Sequence, residues 1–298
     1  MPNIRQIRTH VAAVDSARTI TKALQMISAS RLQRVQRRRV ASREATTGAD
    51  EIAAAAIRVG GEIAHPLLCA GAGDVSRVIV LGSDRGMCGG YNSRVVQAAI
   101  EAADELARIQ RKCEFHAIGK RVGMALRERL AARVAEGASV PPMTGRPGLD
   151  ESRMLDEVAQ LARKLCDDFI GTPLASVSLV RMRLGGQGAV TPVVSQLLPL
   201  EAGPAVVSIY TQYQPLPDAG CVLEVAVPQA VRMRLYHAFL EAALSEHTAR
   251  LMAMKAATSN AEDMIRDLTR EMNRARQARI TAELSEIVGG ADAVEGVR

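Results

Sequence analysis

The sequence predicts an α/β protein: a long antiparallel coiled coil of the N- and C-terminal helices plus an inserted Rossmann-like α/β domain. Three observations predict it. First, a seven-residue repeat runs from His237 to Ala282, with Leu244, Leu251, Thr258, Ile265 and Met272 at one seam position and Leu240, Met254, Ala261, Leu268, Ala275 and Ala282 at the other. That spacing makes a seam for one partner helix. Second, no proline follows Pro228 and the first glycine after it is Gly289, so nothing stops a helix of about 60 residues, or roughly 90 Å at 1.5 Å per residue. Third, the middle of the chain alternates strand-like and helix-like segments, the pattern of a parallel sheet with right-handed crossovers.

The partner helix is expected at the other end of the sequence. Between Asn3 and Val59 there is no proline and one glycine, Gly48, and apolar residues recur at Ile4, Ile7, Val11 and Val14, then Ile20, Leu24 and Ile27, then Leu32 and Val35. This stripe is helical, but it is expected to drift, because strict heptads from Ile4 place Arg18, Gln25 and Ser28 inward. Two such helices, flanking a domain whose own ends lie close together, pair antiparallel. The expected division is residues 1–60 as N-terminal coiled-coil helix, 61–227 as α/β domain and 228–298 as C-terminal coiled-coil helix.

Gly60-Gly61 and His65-Pro66 end the first helix, and Ala70 to Gly73 is a flexible connection. Arg77 to Gly82 reads as a buried strand, Ser83 to Asn92 as a glycine-rich turn, and Ser93 to Arg111 as a helix. Cys113 to Ile118 is a second strand and Lys120 to Ala135 a second helix of the domain. Pro141 to Gly148 is read as a loop, with Asp150 as N-cap of a helix reaching Phe169. Ser176 to Arg183 alternates as a strand, and Gly185 to Gly188 turns it into Ala189 to Ser195, a hairpin. Four prolines between Pro199 and Pro217 leave room only for short extended pieces over 201–227.

Composition narrows the function. A chain of 298 residues with 48% hydrophobic content buries a substantial core, while 2% aromatics and no Trp suit long helices rich in Ala, Arg, Leu and Glu. Residues 1–45 carry ten Lys/Arg against Asp15 and Glu44, so the basicity of a chain of net charge +6 belongs to its first helix. Five cysteines form no CxxC pair and no His-flanked metal spacing, which reads as free thiols in a reducing compartment. No apolar run is long enough to cross a bilayer, and the amphipathic pattern starting at Ile4 leaves no room for a presequence.

Few residues suggest chemistry. The turn Ser83 to Asn92 has a glycine-rich strand-to-helix position that cradles phosphate in other folds, yet it lacks the GKS/GKT ending and does not fit GxGxxG. The plainer reading is a tight turn with glycines at positive φ and Asp84 or Asn92 capping backbone. The arginine run Arg31 to Arg43 fits nucleic-acid phosphates, but no aromatic platform stands near it, and a partner-facing helix surface explains it as well. The five His residues do not cluster, and His247 falls at a seam position and reads as a packed residue. Glu262 and Asp263 lie on adjacent helix faces. No catalytic or metal-ligating set emerges, and no cofactor is expected.

Three stretches then become specific: Ile20-Thr-Lys-Ala-Leu-Gln-Met-Ile-Ser-Ala-Ser30; Ser83-Asp-Arg-Gly-Met-Cys-Gly-Gly-Tyr-Asn92; and Met252-Ala-Met-Lys-Ala-Ala-Thr-Ser-Asn260 with Asn273-Arg-Ala-Arg-Gln-Ala-Arg-Ile-Thr-Ala-Glu-Leu-Ser-Glu-Ile-Val-Gly-Gly-Ala291. Together they resemble the gamma subunit of F-type ATP synthases, in order and over essentially the whole chain. The resemblance implies a non-catalytic central rotor shaft, one copy per complex. Its coiled coil stands inside a hexamer of alpha and beta subunits, and its α/β domain is a foot meeting the epsilon subunit and the membrane c-ring. It also implies a peripheral place at the cytoplasmic face of a bacterial cell membrane. By resemblance, Arg250, Gln277 and Thr281 match positions where the shaft meets loops of the catalytic subunits, and Lys22 and Leu24 match the opposing helix, Leu24 standing where methionine is usual. Residues 201–227 depart from the family pattern, which leaves open a divergent second-copy form of the complex. Two rivals remain: a nucleotide-binding α/β protein with coiled-coil arms, and an arginine-rich nucleic-acid adaptor.

Overall fold

The computed structural model describes residues 4–60, 65–137, 139–201, 216 and 218–295. The element order is α1 (Ile4–Gly60), β1 (Val75–Leu81), α2 (Tyr91–Arg108), β2 (Lys112–Ile118), α3 (Lys120–Ala135), β3 (Met143–Arg146), α4 (Met154–Gly171), β4 (Leu174–Leu184), β5 (Val190–Leu198) and α5 (Ala219–Glu295), with a 3-10 turn at Gly186–Gly188. The α/β class with long terminal helices is therefore as the sequence predicts. The chain forms two compact units, residues 1–27 with 251–298, and residues 28–250.

In the larger unit five strands make one sheet in the order β3-β2-β1-β4-β5. β1 pairs parallel with β2 and β4, β2 pairs parallel with β3, and the β4–β5 hairpin is antiparallel. Both faces are covered, so Val78 to Leu81 of β1 read as a continuous apolar run, as strands buried on two sides do. Its residues split by period two: Val78 and Val80 join a core with α2 and α3 residues such as Val95 and Leu126, while Ile79 and Leu81 join a core with Val158 of α4, Val35 of α1 and Leu240 of α5. The first turn of α3 lies close against the end of β1. A Cβ on Gly82 would stand 2.3 Å from the Val122 side chain, and Gly119, at φ 125°, would bring one to 2.5 Å from the Gly82 carbonyl. Glycine is required at both positions.

In the smaller unit α1 and α5 pack antiparallel as a coiled coil. Thr21 Oγ1 and Thr258 Oγ1 are hydrogen-bonded at 2.8 Å, and Ile7 and Met254 are buried. The α5 repeat is observed as predicted from Leu240 to Ala275, where every seam position is buried or half-buried, but Ala282 is exposed. The Thr21–Thr258 contact sets residues of α1 and α5 level when their numbers sum to about 279, which puts Ile4 beside Ala275. Residues 279–287 are all exposed.

The expected drift of α1 is corrected. Its inward positions follow strict heptads from Ile4 and Ile7 to Ala53 and Ala56, with Arg18, Thr21, Gln25 and Ser28 on the inner face, each half-buried or buried. Ile20 and Ile27, read as part of the stripe, are 58% and 51% exposed. Two of these polar side chains have local partners that accommodate them: Thr21 Oγ1 also donates to the Arg18 carbonyl, and Arg18 pairs with Asp15 at 2.7 Å.

Three local expectations also change. The stretch Pro141 to Gly148 holds the edge strand β3, whose residues 143–146 pair with Phe115 to Ile118. Asp150 orders a turn, accepting from Ser152 N and Oγ, and α4 begins only at Met154. Within 201–227, residues 219–227 are already helix, and Pro228 lies inside α5 rather than before it; residues 202–215 and 217 fall outside the described residues. Asp218 Oδ1 accepts from Cys221 N at 2.9 Å and so starts the helix early. Leu223, Ala226, Val227, Ala230 and Val231 are buried around the proline. Burial of a Val or Leu side chain is worth about 1.5–3 kcal/mol each, so a few of them offset the roughly 3 kcal/mol that proline costs inside a helix.

Candidate functional site

In an open α/β sheet, ligands bind beyond the carboxyl ends of the strands where the strand order reverses. Here that place lies after β1, at the glycine-rich turn, and a cleft of about 350 Å³ is present there, lined by Gly82, Asp84, Arg85, Glu151, His247 and Arg250 among others.

The turn is ordered by its own side chains. Ser83 N donates to Asn92 Oδ1 at 3.1 Å, Asn92 Nδ2 donates to Ser83 Oγ at 2.7 Å, and Ser83 Oγ donates to the Arg85 carbonyl at 2.8 Å. Asp84 Oδ1 accepts from Lys120 N and Gly148 N, both at 2.8 Å. Positive φ falls on Met87 and Gly89. The plainer of the two readings of this turn thus describes it. Both Asp84 and Asn92 cap backbone, although Asp84 ties two other loops rather than its own.

The turn offers carbonyls rather than amides to the cleft. Arg250 of α5, 8% exposed, directs Nη2 to the Arg85 carbonyl at 3.2 Å, Nε to the Gly86 carbonyl at 3.3 Å, and Nη2 to Glu246 Oε1 at 2.7 Å. A phosphate cradle needs unpaired N–H groups and a positive field. Here the Arg85 and Gly86 carbonyls face the cleft already paired with Arg250, and the rest of the lining is of mixed charge, with Arg31, Arg34 and Arg85 beside Asp84, Glu151 and Glu246. Tyr91, fully buried at the start of α2, donates its hydroxyl to the Ala242 carbonyl of α5 at 3.1 Å, and burial holds its pKa well above the usual value.

Part of the arginine run is also spoken for within the chain. Arg31 Nη1 lies 3.8 Å from Glu151 Oε1, and Arg38 Nη1 donates to the Glu151 carbonyl. His247 Nε2 donates to Glu151 Oε1 at 2.7 Å. The hydrogen bond from His247 lowers the Glu151 pKa, with Arg31 and Arg34 adding to it against the opposing effect of burial. His247 is packed, as expected, but it is also bonded, and Glu151 was missed because nothing in a Pro/Gly-rich loop marks one carboxylate above another.

The five residues singled out by resemblance are not brought together. Arg250 belongs to the larger unit and is buried. In the smaller unit Lys22 is exposed and Leu24 half-buried, level with the stretch Met254 to Thr258 of α5. Gln277 and Thr281 are exposed about 20 residues further on, or roughly 30 Å along the helix, and Thr281 Oγ1 donates to the Gln277 carbonyl at 3.0 Å.

Comparisons with known proteins then place the chain. A family model described as ATP synthase matches residues 3–294. ATP synthase gamma chains from Anaeromyxobacter sp. (strain Fw109-5) and Burkholderia ambifaria are 35% and 34% identical to it, over 99% of this chain and 100% of each relative. The chain belongs to the ATP synthase gamma chain family. The fold agrees: a chain of the Euglena gracilis mitochondrial ATP synthase superposes with a TM-score of 0.65 at 19% identity, covering 98% of this chain and 94% of that one. A second Euglena gracilis structure, of the ATP synthase rotor, gives 0.60 at 17% identity, with 93% and 98% covered. The gamma chain's membership makes it a subunit of an ATP synthase, and among the described residues no helix is long and apolar enough to cross a membrane.

Proposed function

We propose that this gamma chain is the central rotor shaft of an F-type ATP synthase, coupling ion flow through the membrane sector to ATP synthesis or hydrolysis in the alpha/beta hexamer, and that it performs no catalysis itself. In this reading residues 1–60 and 228–298 form the shaft, and residues 61–227 form the foot that meets the epsilon subunit and the c-ring. One copy serves each complex, held peripherally at the cytoplasmic face of a bacterial membrane.

The observation that carries the reading is the surface of α5 that is left exposed among the described residues. Beyond Ala275 the helix continues past the start of α1 with residues 279–287 exposed, among them Ile280, Leu284 and Ile287. Large apolar side chains exposed in a row belong in a protein sleeve. Ile20, Met26, Ile27 and Met252 add to that exposed surface. Lys22, Leu24, Gln277 and Thr281 are proposed to meet the alpha and beta subunits, and Arg250 to meet them from the level of the foot. A shaft with unlike faces touches each of three identical catalytic sites differently, so rotation shifts the conformation of each in turn through differential contact energy. The turn after β1, whose Arg85 and Gly86 carbonyls are taken by Arg250, supports leaving nucleotide chemistry to the neighbours.

The test is assembly. Mixed with alpha and beta subunits, the chain is expected to enter a complex at one copy per hexamer and to show no ATP turnover alone. Turnover by the pure chain, or a hexamer that excludes it, defeats the reading.

A further inference from the structure

Resting on the rotor reading, we propose that Glu151 is a positioning residue for rotation: with His247, Arg31 and Arg38 it forms a polar clasp that carries torque between the α/β domain and the two long helices. Three elements converge on this residue. From α5, His247 donates Nε2–H to Glu151 Oε1 at 2.7 Å. From α1, Arg31 Nη1 lies 3.8 Å from the same oxygen and Arg38 donates to the Glu151 carbonyl. Glu151 itself lies in the turn before α4, and that turn is tied back to the sheet, because Gly148 N donates to Asp84 Oδ1, which also accepts from Lys120 N at the start of α3. A path of hydrogen bonds, joined by the backbone from Gly148 to Glu151, therefore leads from both long helices to the ends of β1 and β2.

Torque about a helix axis is a shearing load on whatever grips the helix. Apolar contacts, such as those of Phe239, Leu240 and Leu244 in the same core, are non-directional and resist separation better than sliding. Hydrogen bonds and ion contacts have preferred geometry and resist displacement sideways. The clasp sits at Arg31 and His247, close to Ser28 and Arg250, where the two helices pass out of the larger unit. It also carries a cost. His247 is 3% exposed and its Nδ1 is buried with no hydrogen-bond partner among the described residues. A purely structural packing position gains nothing from such a group, and an unsatisfied buried nitrogen calls for a reason of this kind.

The test uses the assembled complex in membrane vesicles, reading ATP hydrolysis together with the gradient it builds, followed with proton- and sodium-sensitive dyes. Glu151→Ala and His247→Ala are expected to lower the gradient per ATP hydrolysed by roughly half or more, while His247→Gln, which keeps a donor facing Glu151, retains it. A gradient per ATP at the wild-type value in both alanine variants overturns the clasp, whatever their Tm, because the contacts then only stabilise. Should an alanine variant fail to assemble, Glu151→Leu, of similar size but without an acceptor, decides by the same ratio: below wild type supports the clasp, and equal to wild type overturns it. A wild-type chain that joins no alpha and beta subunits, or vesicles that build no gradient, overturns the rotor reading and the clasp with it.

Discussion

Glu241 shows how a single buried carboxylate ties α5 to the sheet. Arg181 of β4 donates from Nε and Nη2 to Glu241 Oε2, at 3.1 and 2.9 Å, and from Nη1 to Ser195 Oγ of β5 at 2.6 Å. Burial works against the charged carboxylate, yet hydrogen bonds from His237 and Arg181 and the charge of Arg181 outweigh it, bringing the pKa down to about 2. A carboxyl depressed in the folded state adds stability that is complete above its unfolded pKa, near 4.5, and lost as pH falls from there towards 2. Urea unfolding at pH 7, 4 and 3 is expected to show this loss in the native protein. Glu241→Gln should flatten it and cost about 3–5 kcal/mol at pH 7, since it leaves Arg181 buried without its countercharge. At Arg250 the expected cost of Arg250→Ala is smaller, about 2–3 kcal/mol, seen as a shifted urea midpoint at unchanged slope. A midpoint that does not move would mean the guanidinium contacts the turn without holding it.

Among elements, the polar seam of α1 makes the sharpest prediction. Thr21 and Thr258 share one hydrogen bond across the helix pair. Each hydroxyl also reaches a carbonyl of its own helix, Arg18 at 2.9 Å for Thr21 and Met254 at 2.8 Å for Thr258, so either single variant loses the bond between the helices without stranding the remaining hydroxyl. Thr21→Val and Thr258→Val are each expected to cost about 1 kcal/mol, and the double variant less than their sum, a coupling that a double-mutant cycle in urea reads directly. The same seam explains what was legible and what was not. β1, α2, β2, α3 and the β4–β5 hairpin were readable because apolar period and glycine punctuation agree. β3 was not, because Met143, Thr144, Gly145 and Arg146 have no strand pattern of their own and become a strand only by pairing with β2. α1 was misread because the polarity of Arg18, Gln25 and Ser28 argued against the strict heptads that place them inward, while the apolar Ile20 and Ile27 in fact face away from α5. At the cleft, the glycines of the turn were visible, but Arg250 closing it and Glu151 bridging to His247 depend on residues more than 90 positions apart.

For the whole molecule, the decisive question is what covers the end of α5. Ile280, Leu284 and Ile287 are 45%, 56% and 68% exposed, and their spacing of four and three places them on one helical stripe. Substituting all three by Gln keeps helix propensity nearly constant and removes only apolar surface. In the isolated chain they touch little, so the variant should unfold within about 0.5 kcal/mol of wild type, as surface changes do. In the complex each side chain would be buried, and losing one such burial is worth about 1.5–3 kcal/mol, so affinity for the alpha/beta hexamer should fall by tenfold or more. A titration of labelled chain into hexamer measures it. Unchanged affinity would remove the stripe from the contact surface, and a large loss of stability in the isolated chain would show instead that these residues pack within it.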